Sequence, residues 1–137
     1  PWNGFCYVHA RFTPNEVIKA KEAHPEAILL VHPECEPEVV DLADEVLSTS
    51  GMLKYVSTSK ENKFLIGTEE GLIYRLKKEN PDKEIYSAGT PKTCFNMKKT
   101  TLQDVYNSLK YKKHEITLSE EIIKLSQNSL KEMIKYA

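Results

Sequence analysis

Side chains able to transfer protons or hold anions occur in three short segments, each next to an apolar stretch. The segments are His32-Pro33-Glu34-Cys35, Ser48-Thr49-Ser50-Gly51 and Gly67-Thr68-Glu69. Imidazole and carboxylate groups serve as general acids and bases. Hydroxyl groups next to the free N–H groups of a helix start bind phosphate or carboxylate. We therefore expect catalytic and substrate-binding residues in these segments.

Each segment also has an ordinary structural interpretation. His32 would fit a hydrogen bond to a loop carbonyl, and Glu34 would fit a solvated position near a helix N-terminus. Hydroxyls such as those of Ser48 and Thr68 commonly cap helices, because they accept hydrogen bonds from unpaired backbone N–H groups. The residue types alone leave both interpretations open.

Three widely spaced cysteines, Cys6, Cys35 and Cys94, form no close C-x-x-C pair. Their odd number and the lack of a secretory segment favour reduced thiols in a cytosolic protein over disulfides. Cys6 and Cys94 lie in loops that flank one α/β unit, so they could meet at its rim and suit an iron–sulfur cluster. Buried structural thiols, or zinc held with one histidine, are the alternatives.

Alternating strand-like and helix-like stretches must position these side chains. The strands are predicted at 27–31, 45–47, 63–66 and 84–86. The helices are predicted at 14–23, at 37–43, from about residue 50 onward, and at 69–78. Thr13 is the expected cap of the first helix and Thr68 that of the fourth. Short strands separated by helices favour parallel pairing with right-handed crossovers, so the fold class is α/β. Ligands bind at the carboxyl ends of parallel strands, where the three segments should converge.

Two further helices are predicted after Cys94, at 100–109 with a Thr100–Gln103 capping box and at 119–136. The last helix carries an apolar stripe made of Ile122, Ile123, Leu125, Leu130, Met133 and Ile134. Such a stripe usually packs on a core, and the core available in this chain is small.

Composition excludes several classes of protein. The 137 residues fit one domain, and 40% hydrophobic with 28% charged residues is typical of a folded chain. A formal charge of −1 argues against nucleic-acid binding driven by bulk charge. The longest apolar run, 27–31, is far shorter than the roughly 20 residues of a membrane span. The chain begins at Pro1 without an initiator methionine or signal segment, so we expect a fragment or processed product.

Five motifs together resemble the C-terminal half of quinolinate synthase. They are Asn3-Gly4-x-Cys6-x-Val8-His9, His32-Pro33-Glu34-Cys35, Ser48-Thr49, Ile66-Gly67-Thr68-Glu69-x-Gly71 and Cys94-x-Asn96-Met97-Lys98-Lys99-x-Thr101. No single motif is specific, but they occur in the family's order with similar spacing and span nearly the whole chain.

The resemblance implies a three-layer parallel-sheet domain of the quinolinate synthase type, one of three related by a pseudo-threefold axis, plus C-terminal helices. Residues 1–12 would be a cluster-ligand loop from the end of the preceding domain. Residues 13–95 would be the α/β domain with a second cluster-ligand loop. Residues 96–137 would form a helical segment that packs on the N-terminal part of the enzyme, which this chain lacks.

The resemblance also implies an enzyme, a cytoplasmic transferase of NAD biosynthesis. The family condenses iminoaspartate with dihydroxyacetone phosphate to quinolinate. By resemblance, Cys6 and Cys94 match the second and third cysteine ligands of a [4Fe-4S] cluster. The first cysteine ligand would lie upstream, in the part that this chain lacks. The one iron of the cluster without a cysteine ligand acts as a Lewis acid. Cys35 matches a cysteine that is not a ligand.

The remaining site residues follow from the same resemblance. His32 and Glu34 would bind substrate and transfer protons. Ser48 and Thr49 would bind substrate oxygens. The implied partners are the two substrates, the N-terminal part of the enzyme and the aspartate-oxidising enzyme that supplies iminoaspartate, with no nucleic acid or membrane. The alternative is a non-catalytic α/β anion-binding module without metal.

Overall fold

The computed structural model describes residues 4–136, so Asn3 of the first motif lies outside the described residues. The chain divides into two units after Phe95. The first unit contains the sheet and four α-helices, and the second contains two α-helices.

Four parallel strands form the sheet of the first unit, in the order β2-β1-β3-β4. They are β1 (Ile28–Val31), β2 (Glu45–Val46), β3 (Lys63–Gly67) and β4 (Glu84–Ser87). Val31 pairs with Val46 on one side and with Gly67 on the other, so three strands end at the same edge. The predicted α/β class with parallel pairing is confirmed.

Helices alternate with these strands along the chain. They are α1 (Pro14–Ala23), α2 (Pro37–Val40), α3 (Thr49–Thr58) and α4 (Glu70–Glu79), and a short 3-10 helix (His9–Arg11) precedes α1. Thr13 caps α1 as predicted, because its side chain accepts a hydrogen bond from the backbone N–H of Glu16.

Apolar layers cover both faces of the sheet, because successive strand residues point to opposite sides. Leu29 and Val31 of β1 pack with Val17 of α1 and Val39 of α2. Leu30 of the same strand packs with Met52 of α3 and Leu76 of α4. The result is a three-layer arrangement with the sheet in the middle.

Two predicted helix starts are wrong. Glu69, not Thr68, caps α4, because parallel pairing continues past β3 to a bridge between Glu69 and Lys92 and delays the helix. In the second unit Thr101, not Thr100, caps α5 (Leu102–Tyr111), where Asp104 closes the capping box. The carboxylate of Asp104 accepts a hydrogen bond from the backbone N–H of Thr101 at 2.9 Å.

The second unit also contains α6 (Glu120–Ile134), which Ser119 caps. Among the described residues, neither α5 nor α6 has a buried side chain. The apolar stripe of α6 is therefore exposed, and its packing on an N-terminal part outside this chain stays a prediction. No helix in residues 4–136 combines the length and apolar character needed to cross a membrane.

Candidate active site and metal centre

The segment that carries Cys6 is anchored by its own apolar side chains. Val8 and Phe12 are each only 1% exposed, which fixes the 3-10 helix between them against the sheet domain. The backbone N–H of Ala10 donates to the carbonyl of Cys6 at 3.0 Å and closes a turn. Cys6 is a free, half-buried thiol held in a defined loop.

Tyr7 connects the loops of the two predicted cluster ligands. Its hydroxyl donates a hydrogen bond to Cys94 Sγ at 3.6 Å and accepts one from the backbone N–H of Phe95 at 2.8 Å. Cys94 is also half-buried. The residue next to Cys6 in sequence is thus in direct contact with Cys94, although 87 positions separate Tyr7 from it.

A buried carboxylate orders the Cys94 loop. Glu69 is 8% exposed, and its Oε1 accepts a hydrogen bond from the backbone N–H of Cys94 at 3.2 Å. Its Oε2 accepts from the N–H of Gly71 at 2.7 Å, which is the cap of α4. The same side chain therefore starts a helix and holds a predicted metal ligand in place.

A second buried charge anchors the strand-like segment before Cys94. Lys92 is 5% exposed, and its Nζ lies 2.8 Å from Glu16 Oε1 on α1 and 5.5 Å from the ring centroid of Phe12. Burial alone would raise the pKa of Glu16, but hydrogen bonds from Lys92, Thr90 and Thr13 and the charge of Lys92 outweigh it and lower the pKa to about 2.

Four side chains meet at the carboxyl ends of β1 and β3. His9 Nδ1 lies 3.1 Å from Glu34 Oε2, and His9 Nε2 lies 2.9 Å from Thr68 Oγ1. The ring of His32 stacks on that of His9, with centroids 4.1 Å apart and planes 6° from parallel. The structure thus brings together the predicted pair His32 and Glu34, and it adds His9 and Thr68.

The hydrogen bonds of His32 assign its protonation. The backbone N–H of Glu34 donates to His32 Nδ1 at 3.2 Å, so a neutral ring carries its proton on Nε2. Burial lowers the pKa of His32, the charge of His9 lowers it further, and Glu34 opposes both. The ring is therefore neutral at pH 7, while the Glu34 side chain beside it is 55% exposed.

Ser48 and Thr49 lie at the same edge of the sheet, just after β2. Ser48 Oγ accepts a hydrogen bond from the N–H of Gly51 at 3.2 Å, which is the capping role. Both residues are exposed. Within residues 4–136, neither hydroxyl forms a hydrogen bond to His32 or Glu34, so their role as substrate ligands stays a prediction.

Cys35 differs from the other two thiols. It is 6% exposed, and its Sγ donates to the carbonyl of Gly67 at 3.6 Å. Burial raises its pKa to about 11, and nearby Cys6, Glu34 and Glu36 add to the rise against an opposing hydrogen bond to the backbone of His32. A thiol this hard to ionise is poorly suited to hold a metal, since thiolates are the ligands.

Sequence reasoning assigned no site role to Tyr7 or His9, and it named Thr68 and Glu69 only as members of one polar segment, without their contacts. His9, Thr68 and Glu69 stood in the family motifs, but their local patterns indicated only a loop residue, a cap and the first residue of a helix. Tyr7 carried no local signal at all. Their contacts join positions 25 to 88 residues apart, and no spacing pattern reports such distances.

Comparison with known proteins shows which family this chain is similar to. The family model described as "Quinolinate synthetase A protein" matches residues 1–135. Quinolinate synthases of Caldicellulosiruptor saccharolyticus and Methanoregula boonei are each 48% identical to this chain over 134 residues, which is 98% of this chain and 44% of each relative. That of Thermodesulfovibrio yellowstonii is 50% identical over 121 residues, 88% of this chain and 40% of the relative. The chain spans less than half the length of these curated relatives.

Proposed function

Because the chain belongs to the quinolinate synthetase A family, we propose that it is the cluster-bearing part of a quinolinate synthase. The proposed enzyme is a transferase of NAD biosynthesis that condenses iminoaspartate with dihydroxyacetone phosphate. One observation carries the proposal: residues 6–9 contact both the Cys94 loop, through Tyr7, and Glu34, through His9. These contacts support the proposal because they bring the proposed metal ligands and the proposed acid–base group to one edge of the sheet.

The two loop cysteines fit an iron–sulfur cluster. Both thiols are half-buried, in contrast to the buried Cys35. The hydroxyl of Tyr7 points at Cys94 Sγ as a donor, the kind of contact that tunes a cluster sulfur. A third cysteine would come from the N-terminal part of the enzyme. When bound, the cluster would supply a Lewis-acid iron for the loss of a substrate oxygen as water.

Glu34 is suited to move protons in the condensation and dehydration steps. Its side chain is 55% exposed, so a substrate can reach it, while His9 Nδ1 fixes Oε2 from the buried side at 3.1 Å. In this arrangement Oε1 is left to accept a proton from the substrate carbon or nitrogen. His9 and Thr68 then act as positioning residues behind the carboxylate.

His32 supplies a hydrogen-bond donor next to Glu34. Because its Nδ1 accepts from the backbone N–H of Glu34, its neutral ring carries an Nε2–H, which can donate to a substrate carboxylate or carbonyl oxygen. The stacked ring of His9 holds it at a fixed angle. Ser48 and Thr49 would bind phosphate or carboxylate oxygens at the N-terminus of the ten-residue helix α3.

A chimaeric enzyme tests this function directly. The matched segment of the Caldicellulosiruptor saccharolyticus quinolinate synthase would be replaced by this chain and quinolinate formation measured without oxygen. We expect activity with a [4Fe-4S] cluster, loss of both cluster and activity in Cys94→Ser, and loss of activity with the cluster retained in Glu34→Gln. Cys35→Ser is the matched control.

Two results would contradict the proposal. One is a folded chimaera that binds a cluster without making quinolinate. The other is a Glu34→Gln variant as active as its parent, which would remove the acid–base role of that residue. The alternative of a metal-free anion-binding module is not favoured, because the relatives that match nearly the whole chain are named quinolinate synthase.

A further inference from the structure

We propose that, in the absence of the cluster, Cys6, His9 and Glu34 bind one divalent transition-metal ion such as Zn²⁺ or Fe²⁺. One ligand atom from each of these residues lies within 4.8 Å of the other two. This site shares Cys6 with the proposed cluster but does not use Cys94. It therefore goes beyond the proposed function and does not depend on it.

The donor set and its spacing suit a four-coordinate ion. Thiolate, imidazole and carboxylate are the protein ligands of zinc, and around a tetrahedral ion they lie about 3.3 to 3.7 Å apart. His9 Nδ1 and Glu34 Oε2 are already 3.1 Å apart. A shift of about 1 Å at the half-buried thiol of Cys6 closes the site. Water would occupy the fourth position.

The ring of His9 is already fixed in position in the metal-free chain. Its ring is 7% exposed and stacks on His32. In the metal-free chain a proton on Nδ1 faces the Glu34 carboxylate. An ion takes that position, the ring proton moves to Nε2, and Thr68 Oγ1 at 2.9 Å accepts it. Metal-bound histidines usually have such an outer partner on the second nitrogen, and its loss weakens binding.

The balance of charge also favours a divalent ion. Binding removes the thiol proton of Cys6, so the ligands become one thiolate, one carboxylate and one neutral imidazole. Their two negative charges match the ion. Because the cluster needs Cys6 as well, the ion and the cluster exclude each other.

Cobalt binding to the chain, reduced and freed of iron without oxygen, tests this site. Tetrahedral Co²⁺ gives intense visible bands and, with a thiolate ligand, a near-ultraviolet charge-transfer band. We expect one Co²⁺ per chain, displaced by Zn²⁺. Affinity should fall about tenfold or more in Glu34→Gln and Thr68→Val. Cys6→Ser should lose the charge-transfer band, and Cys94→Ser should bind like the parent.

Control variants separate loss of the metal site from loss of folding. His9 is buried, so His9→Ala could unfold the chain. Its cobalt affinity is therefore used only if its circular dichroism matches that of the parent. If the spectra differ, Glu34→Gln, whose substituted side chain is exposed, provides the test. His24→Ala is the histidine control and should leave affinity unchanged. Absence of the bands in the parent, or loss of them in Cys94→Ser with retention in Cys6→Ser, overturns the metal site. Neither result bears on the cluster, whose iron and sulfide are measured separately.

Discussion

Replacing Glu16 by glutamine tests the anchor of the Cys94 loop. The substitution removes the charge 2.8 Å from Lys92 Nζ but keeps the size of the side chain. Lys92 is 5% exposed and precedes Cys94 by two residues. Its ammonium group would then be left in a buried position without a counter-charge. We expect lower stability and a less ordered Cys94 loop.

The structure sets the size of the effect. A pKa lowered from 4.5 to about 2 corresponds to an upper limit of roughly 3 kcal/mol. The Glu16 side chain is 28% exposed, so solvent screening reduces this value. Removal of one partner from a fully buried pair costs about 3 to 5 kcal/mol. We therefore expect Glu16→Gln to lower the free energy of unfolding by about 2 to 3 kcal/mol at pH 7.

The pH dependence has a definite sign. The folded-state pKa of Glu16 lies below its ordinary value of 4.5, so the unfolded chain binds the proton more readily. Its stabilising contribution is complete above about pH 5 and is lost as the pH falls from 4.5 towards 2. The difference in stability between parent and Glu16→Gln should therefore shrink over that window.

Urea unfolding of both proteins between pH 3 and 7 measures this difference. Glu26→Gln is the matched control, because Glu26 pairs with Lys63 at 3.2 Å while the two side chains are 77% and 38% exposed. It should cost less than about 1 kcal/mol. Equal effects of the two substitutions, or a Glu16→Gln difference that grows on acidification, would refute the reasoning.

Three further predictions concern the residues around the site. Gly67→Ala should lower the free energy of unfolding by about 1 to 3 kcal/mol, because the new Cβ would lie 2.9 Å from Val31 Cγ1 in the packed sheet; no change in urea unfolding would contradict this. Cys35 should react with iodoacetamide at pH 8 only after unfolding, since it is 6% exposed and its pKa is raised to about 11; peptide mapping should show Cys6 and Cys94 modified first. Glu69→Ala should lower stability by about 1 to 3 kcal/mol and speed amide hydrogen exchange at Cys94, whereas unchanged exchange would show that Glu69 does not order the loop.

Local signals predicted the elements that frame the site. Thr13 followed by Pro14 fixed the start of α1, because a hydroxyl acceptor and a preset φ are favoured there. The apolar run before His32 became β1, whose end places His32 and Glu34 at the edge of the sheet. The family motifs then led to the prediction that His32 and Glu34 bind substrate and transfer protons, and this stays a prediction.

The rest of the site depends on contacts between distant parts of the chain. Thr68 carries the local pattern of a helix cap, yet the bridge from Glu69 to Lys92 extends the strand and turns Thr68 towards His9. A lysine is usually exposed, so only the packed position of Glu16 explains why Lys92 is buried. Neither fact can be obtained from composition or periodicity.

The central claim, that Cys6 and Cys94 hold a cluster, is tested most directly by iron and acid-labile sulfide. The chain would be reconstituted without oxygen in the presence of a small thiol that supplies any missing ligand. We predict about four of each per chain in the parent and in Cys35→Ser, and a large loss in Cys6→Ser and Cys94→Ser. Equal content in all four proteins, or a loss confined to Cys35→Ser, would contradict the assignment.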